Sequence, residues 1–318
     1  MVVVQLFLRA VDKLPLPSLR TQRIIAAAVV LSQAGISVTG SIVRVTASGL
    51  GCPTWPQCFP GSFTPVPHAE VPGLHQAVEF GNRLLTFVVV ITAILAVLAV
   101  TRARRRREVL IYAWLMPAST VLQAVIGGIT VLTGLLWWTV AIHLLVSMAM
   151  VWLATLLFCK IGEPDDGVPV TVVPKPLRQL TFLSALALTA TLISGTLVTG
   201  AGPHAGDKSL ERPVPRLQIE IVSLAHTHSA LLISYLSLLI GLGAGLLAVG
   251  APRTVRRRLG VLLGLVATQA LIGLVQYHNG VPAVLVAMHV AGAAACTVGT
   301  AALWASMRQR TEPEALAG

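Results

Sequence analysis

Eight long apolar runs divide this chain, near 22–45, 77–100, 109–133, 136–159, 180–200, 218–249, 259–278 and 281–306. As helices rising 1.5 Å per residue, each can cross a hydrocarbon core of roughly 30 Å. Lipid offers backbone N–H and C=O groups no partners, and barrel strands would be shorter and alternate in polarity, so helices are the expected spans. Composition agrees: 55% of residues are hydrophobic and 11% charged, where a soluble domain carries about 25% charged residues. A soluble enzyme, a disordered chain and a disulfide-rich secreted module are excluded. The net charge of +11 is not a nucleic-acid signal, because Lys and Arg in a membrane protein sit in loops and set orientation.

With the N-terminus inside, 18 of the 23 basic residues fall on the inner side, five of them in the Thr101–Arg107 turn. Outer loops hold only Lys208, Arg212 and Arg216, and the loop over 46–76 holds none. The positive-inside rule therefore puts both termini in the cytoplasm. No cleavable signal is expected, because the first span is long and lacks a small-residue cleavage site.

The spans form an internal repeat. Gln123-Ala-Val-Ile-Gly127 matches Gln269-Ala-Leu-Ile-Gly273 at an offset of 146, and the same register aligns Gly134 with Gly280, His143 with His289 and Asn82 with His228. Spans 1 and 5 pair at an offset of 155, through Gly40-Ser-Ile-Val and Gly195-Thr-Leu-Val. Each copy has an even number of spans, so the copies run parallel. The expected architecture is all-α: eight transmembrane helices as two pseudo-symmetric four-helix bundles. The divisions are a cytoplasmic segment at 1–21, an N-terminal half at 22–159, a linker at 160–179, a C-terminal half at 180–306 and a cytoplasmic tail at 307–318.

Ionisable residues inside a membrane default to functional hypotheses. His143 and His289 lie seven or eight residues below the outer ends of their spans, about 10–12 Å deep. Asn82 and His228 sit at similar depth on spans running the other way. Each half thus offers two facing positions, both histidine in the second half. Two facing imidazoles in an apolar bundle suit axial ligation of haem iron, with Gly127, Gly128 and Gly273 giving room for a flat ring. The competing reading is interhelical hydrogen bonding. His226 is on another face than His228. His68, His75, His204 and His278 fall in or near outer loops, with His204 placed to close the second-half site.

Glu79 shares a helix face with Asn82. It either supports the helix dipole and pairs with Arg83, or aims a proton-relaying carboxylate at the first-half pocket. Its repeat mate is Ala225 and that of Arg83 is Ser229, so both features belong to the first half alone. Arg83 and Arg44 could each meet an acidic group of a ligand or snorkel to the interface. Cys52 and Cys58 lie in the first outer loop, where a disulfide is permitted as a structural staple or as a redox-active pair.

Together these residues resemble the haem A synthase family. The resemblance rests on the eight spans, the repeat and the histidine pattern, and most specifically on Thr46-Ala-Ser-Gly-Leu-Gly-Cys-Pro-Thr-Trp-Pro-Gln-Cys58, Glu79-Phe-Gly-Asn-Arg83 and Gly202-Pro-His-Ala-Gly-Asp207. It implies a haem b cofactor on His228 and His289. It also implies a first half that binds the substrate haem O, with His143 as ligand, Glu79 catalytic, and Asn82 and Arg83 in the pocket. Where the family motif has histidine, this chain has Asn82. The implied reaction oxidises a haem methyl group to formyl in a bacterial plasma membrane. No nucleotide or flavin fingerprint is present, so electrons come from an unidentified donor. The expected partners are membrane lipid and haem O synthase or oxidase assembly factors, with no nucleic acid. The rivals are a di-haem electron-transfer subunit, a membrane thiol–disulfide oxidoreductase and a transporter; the unequal halves speak against the first.

Overall fold

The computed structural model describes residues 2–68, 70–208 and 213–311. Arg212 of the orientation count and the end of the tail at 312–318 lie outside the described residues. Nine helices are present among the described residues: α1 (Val2–Asp12), α2 (Leu19–Val45), α3 (Gly73–Arg102), α4 (Arg107–Leu132), α5 (Trp137–Ile161), α6 (Lys175–Ala201), α7 (Ile221–Ala248), α8 (Arg253–His278) and α9 (Ala283–Ser306). The last eight are long and apolar enough to cross a membrane, so the protein is an all-α, multi-pass membrane protein. The apolar runs locate these helices, but most extend beyond them. Helical hydrogen bonding continues past the hydrocarbon edge; α8 starts at Arg253, six residues before its apolar run.

α2 packs against α3 and α5, and α4 packs against the same two, so these four helices close a ring. α6, α7, α8 and α9 close a second ring in the same way. The rings meet mainly through α2, α5 and α9. Large apolar side chains face outward on both, Leu31 72% and Val284 72% exposed, as lipid contact requires. The α4–α5 and α8–α9 turns share one backbone device. Gly134 and Leu135 have φ of 65° and 59°, Gly280 and Val281 have 71° and 60°. The Leu135 and Val281 amides each donate 2.9 Å back to a carbonyl five residues earlier. Two successive left-handed residues reverse the chain tightly, and glycine takes the first at little cost.

Each ring is filled with apolar side chains at only one end. Ala26, Val97, Met116 and Leu157 belong to the first cluster; Tyr235, Leu242, Leu262 and Leu303 to the second. Both clusters lie toward the arginine-rich end, where α3 leads into α4. The histidines sit toward the opposite end, beyond this packing. Tyr235, two turns from His228, bonds Thr300 at 2.6 Å and forms part of the floor beneath that level.

The arginine-rich end is more ordered than its sequence suggests. β1 (Val168–Thr171), between the rings, pairs antiparallel with β2 (Arg308–Thr311) after α9. α1 packs against α3; its Phe7 also lies 5.8 Å from Trp114 of α4 between ring centroids, and Asp12 lies 3.2 Å from Arg104 of the α3–α4 turn. Arg105 is the hub. Its buried guanidinium donates to Gln22 Oε1, Ile161 O and Glu163 O at 3.1, 3.0 and 2.9 Å and lies 2.7 Å from Asp165. It therefore joins the α3–α4 turn to the start of α2 and the end of α5. Arg105→Ala leaves four acceptors without their cation, and removing one partner of a buried ionic network costs about 3–5 kcal/mol. Thermal unfolding in detergent should show a loss of that order; a change under about 1 kcal/mol, within the range of ordinary surface substitutions, would contradict the hub.

Candidate functional site

His228 on α7 and His289 on α9 face each other across the second ring, with centroids 6.2 Å apart and planes inclined 59°. Two imidazoles sharing one metal need about 6 Å between centroids, from about 2 Å per metal–nitrogen bond and about 1 Å from each nitrogen to its ring centre. The observed spacing therefore leaves room for one iron between the rings. The protein also poises the nitrogens. His228 Nδ1 lies 2.9 Å from Ser194 Oγ and 3.1 Å from Thr191 O. A carbonyl only accepts, so Nδ1 carries the proton and Nε2 keeps its lone pair. Among the described residues, no protein group bonds Nε2 of either ring. The donor set fits a haem with two axial histidines.

Glycines give the rings their place. A Cβ at Gly195 would lie 3.1 Å from His228 Cε1, and one at Gly273 would lie 3.1 Å from His289 Cε1. Each imidazole thus sets its Cε1 edge against a helix backbone on a neighbouring element. Gln269 Nε2 donates to the His289 carbonyl at 2.6 Å, fixing α8 against α9 at this level.

The first ring repeats the plan with one change. A Cβ at Gly127 would lie 3.3 Å from His143 Cε1, and Gln123 Nε2 donates to His143 O at 3.2 Å and Ser147 Oγ at 2.6 Å. His143 Nδ1 is buried without a hydrogen-bond partner among the described residues. On the opposite side, Thr39 Oγ1 donates to Asn82 Oδ1 at 2.7 Å. Thr39 and Gly40 stand where Ser194 and Gly195 stand in the second ring, yet nothing approaches a Cβ position at Gly40 within 4 Å. The cradle for an imidazole is present; a shorter amide occupies the helix position that would fill it. His75 does not replace it: it lies about two turns before Asn82 on α3, where its Nδ1 is 2.9 Å from Ser48 Oγ of the outer loop.

Glu79 is one turn before Asn82 and only 7% exposed. Its Oε1 pairs with Arg83 Nε at 3.1 Å, while Oε2 makes no hydrogen bond among the described residues. Arg83 spends most of its donors on the loop, giving Nη2 to Cys52 O at 2.9 Å and Thr54 O at 3.1 Å and Nη1 to Gln57 O at 3.2 Å. One Nη1 hydrogen is left for a ligand. Cys52 and Cys58 are joined in a buried disulfide. Within the loop they close, Trp55 lies against α4, where a Cβ at Gly128 would come 2.6 Å from its ring. The loop therefore caps the ring beside His143.

Arg44 reaches the other ring, donating to His204 O at 2.9 Å and Thr199 O at 3.0 Å. Arg216 donates to Thr199 O at 2.8 Å and to Gly202 O, and burial holds its guanidinium below the ordinary value. Both cations sit at the C-terminal end of α6, where the helix dipole favours them. His204 Nε2 bonds Val281 O at 2.8 Å, tying its loop over the α8–α9 turn. His226 and His278 are exposed, and His68 stacks on Phe59 at 5.1 Å. The residues that sequence reasoning passed over are Thr39, Ser194 and Trp55. A hydroxyl residue directly before the matched glycine in both copies was the available signal for the first two.

These features define an eight-span helical membrane protein with a histidine pair across one ring and a disulfide loop capping the other. A family model described as cytochrome oxidase assembly protein, COX15-CtaA, matches residues 23–211; the chain belongs to that family. It is 32% identical over 121 residues to Heme A synthase of Geobacillus thermodenitrificans, covering 38% of this chain and 34% of that protein. It is 36% identical over 98 residues to Heme A synthase of Geobacillus kaustophilus, covering 30% and 29%. The match to Heme A synthase of Lysinibacillus sphaericus is 30% over 112 residues, covering 35% of each. The aligned stretches span about a third of the length of these relatives.

Proposed function

We infer that this protein oxidises a methyl group of haem O to a formyl group, giving haem A for cytochrome oxidase. The observation that carries the reading is the His228–His289 pair at iron-sharing distance, in a chain of this family whose relatives are named Heme A synthase. His228 and His289 would hold a haem b, which when bound would supply electron storage between an external donor and the substrate. The first ring takes haem O, with His143 on its iron. Each of two hydroxylations would break a methyl C–H bond and insert one oxygen atom of dioxygen, the oxidant, while two electrons from the donor and two protons take the other atom to water; the resulting geminal diol then loses one water to leave the formyl group.

The chain's own residues do the positioning and proton handling. Trp55 and the disulfide loop close the first ring against water. Glu79, with Oε2 unengaged beside Asn82, accepts and returns protons at the substrate. Arg83 holds Glu79 and the loop in one arrangement and offers its last N–H to an acidic group of the substrate. Asn82 cannot match an imidazole as an iron ligand, so His143 would be the sole protein ligand there, leaving the iron open to a small molecule. The halves thus divide the work. The positive-inside count puts the loop outside the bacterial plasma membrane and both termini in the cytoplasm. The electron donor and any contact with haem O synthase or assembly factors lie outside this chain.

Three experiments test the reading. His228→Ala and His289→Ala should each abolish or shift a low-spin haem b spectrum, because one axial bond is lost; unchanged spectra in both would remove the cofactor assignment. Glu79→Gln keeps size and removes the charge. It should retain haem b while haem O or a partly oxidised haem accumulates, and undiminished haem A yield would end its catalytic role. With haem O loaded, resonance Raman should report a first-site iron with a single imidazole, sensitive to His143→Ala. Asn82→His should lay a second imidazole on Gly40 and convert the signal to low spin. A bis-imidazole signature before that substitution would refute the open position.

A further inference from the structure

At the arginine-rich end the two rings meet over a cavity of about 190 Å3. α4 and α5 line it from one ring, α6 and α9 from the other, and β1 and β2 close over it. Its charges do not balance. Glu108 lies 2.5 Å from Lys160 and 3.4 Å from Arg106, and Glu163 lies 2.5 Å from Arg106. Both lining carboxylates are therefore satisfied. That leaves Arg178, Arg308 and Arg310 with no carboxylate partner among the described residues. The Nε atoms of Arg178 and Arg310 are buried and have no hydrogen-bond partner among the described residues. Arg310 makes only a 3.5 Å contact, through Nη2, to Asp165 O. A buried cationic N–H without an acceptor is costly, and Arg178 and Arg310 each bring one to this cavity, with the exposed Arg308 also on its lining. Leu156, Trp304 and Met307 give the same cavity an apolar wall.

Guanidinium forks match phosphate oxygens in geometry and charge. The cavity also lies at the ends of the spanning helices, where hydrocarbon gives way to water and where basic pockets between helices meet lipid headgroups. We propose that it binds a phosphate-bearing anion, the headgroup of an anionic phospholipid, held by Arg178, Arg308 and Arg310. The bound headgroup bridges α6 to β2 on the second-ring side, against the wall that α4 and α5 of the first ring supply. This site is independent of the haem chemistry assigned above.

The test uses the full chain, delipidated in neutral detergent and titrated separately with phosphatidylglycerol, phosphatidylcholine and inorganic phosphate. Native mass spectrometry reads retention and thermal unfolding reads stabilisation. Phosphatidylglycerol should be retained and should raise the unfolding midpoint, while phosphatidylcholine should do neither. Arg178→Gln combined with Arg310→Gln should weaken phosphatidylglycerol retention roughly tenfold or more, as charge-assisted bonds are lost. Arg178→Lys keeps the charge without the fork and should give a smaller loss, which guards against a folding defect in the double variant. Arg257→Gln, at an exposed position on α8 near the same end, should leave retention unchanged. An equal loss in Arg257→Gln would mean general surface charge and overturn the site, as would unchanged retention in the double variant. If inorganic phosphate alone stabilises the protein through Arg178 and Arg310 while phosphatidylglycerol does not, the anion site stands and the lipid headgroup is refuted as its occupant.

Discussion

Lipid supplies no hydrogen bonds, and this constraint orders the whole molecule. Helices satisfy the backbone, and most hydroxyls inside the spans bond a carbonyl three or four residues back, as Thr120, Thr155 and Ser184 do. The polar groups that reach across to another helix are few and concentrated. Thr39 meets Asn82, Ser194 meets His228, and Gln123 and Gln269 each hold a histidine carbonyl. These four sit at one level, beyond the apolar cores, while Ser32–Thr92 and Tyr235–Thr300 cross between helices nearer the arginine-rich end. Such contacts are worth about 1 kcal/mol each between membrane helices, so they set the register of the rings more than their strength.

The two rings share this scaffold and differ in what caps it. In the second, both facing positions are imidazoles on glycine, and a loop tied by His204 lies over the α8–α9 turn. In the first, one imidazole faces an amide, and Arg83 binds Glu79 together with three loop carbonyls. A symmetric electron-transfer subunit would have no use for this asymmetry.

The rings are joined differently at their two ends. Toward the disulfide loop, Arg44 crosses from α2 to carbonyls of the other ring. Toward the arginine-rich end, Arg105 gathers α2, α5 and the α3–α4 turn, and the β1–β2 pairing draws the linker and the end of α9 together. Arginine serves both joints because its five donors can satisfy several carbonyls at once.

The sequence by itself determined the eight spans, because a run of about 20 apolar residues has one stable solution in a bilayer. It also determined the repeat and the residues worth watching: His143, His228 and His289 are conspicuous because ionisable groups are expensive at that depth. What they do there was decided by the tertiary structure. Asn82 reads as a missing histidine in sequence, but only the fold shows Thr39 holding the amide beside an empty cradle at Gly40. Arg83 reads as a helix pair with Glu79, yet most of its bonds go to carbonyls 26–31 residues away. A carbonyl is common to every residue and leaves no mark in the alphabet. The β1–β2 pairing was hidden for the same reason: Arg308-Gln-Arg-Thr311 carries no strand periodicity, and its backbone bonds exist only because the ends of α5, α6 and α9 bring two distant segments together.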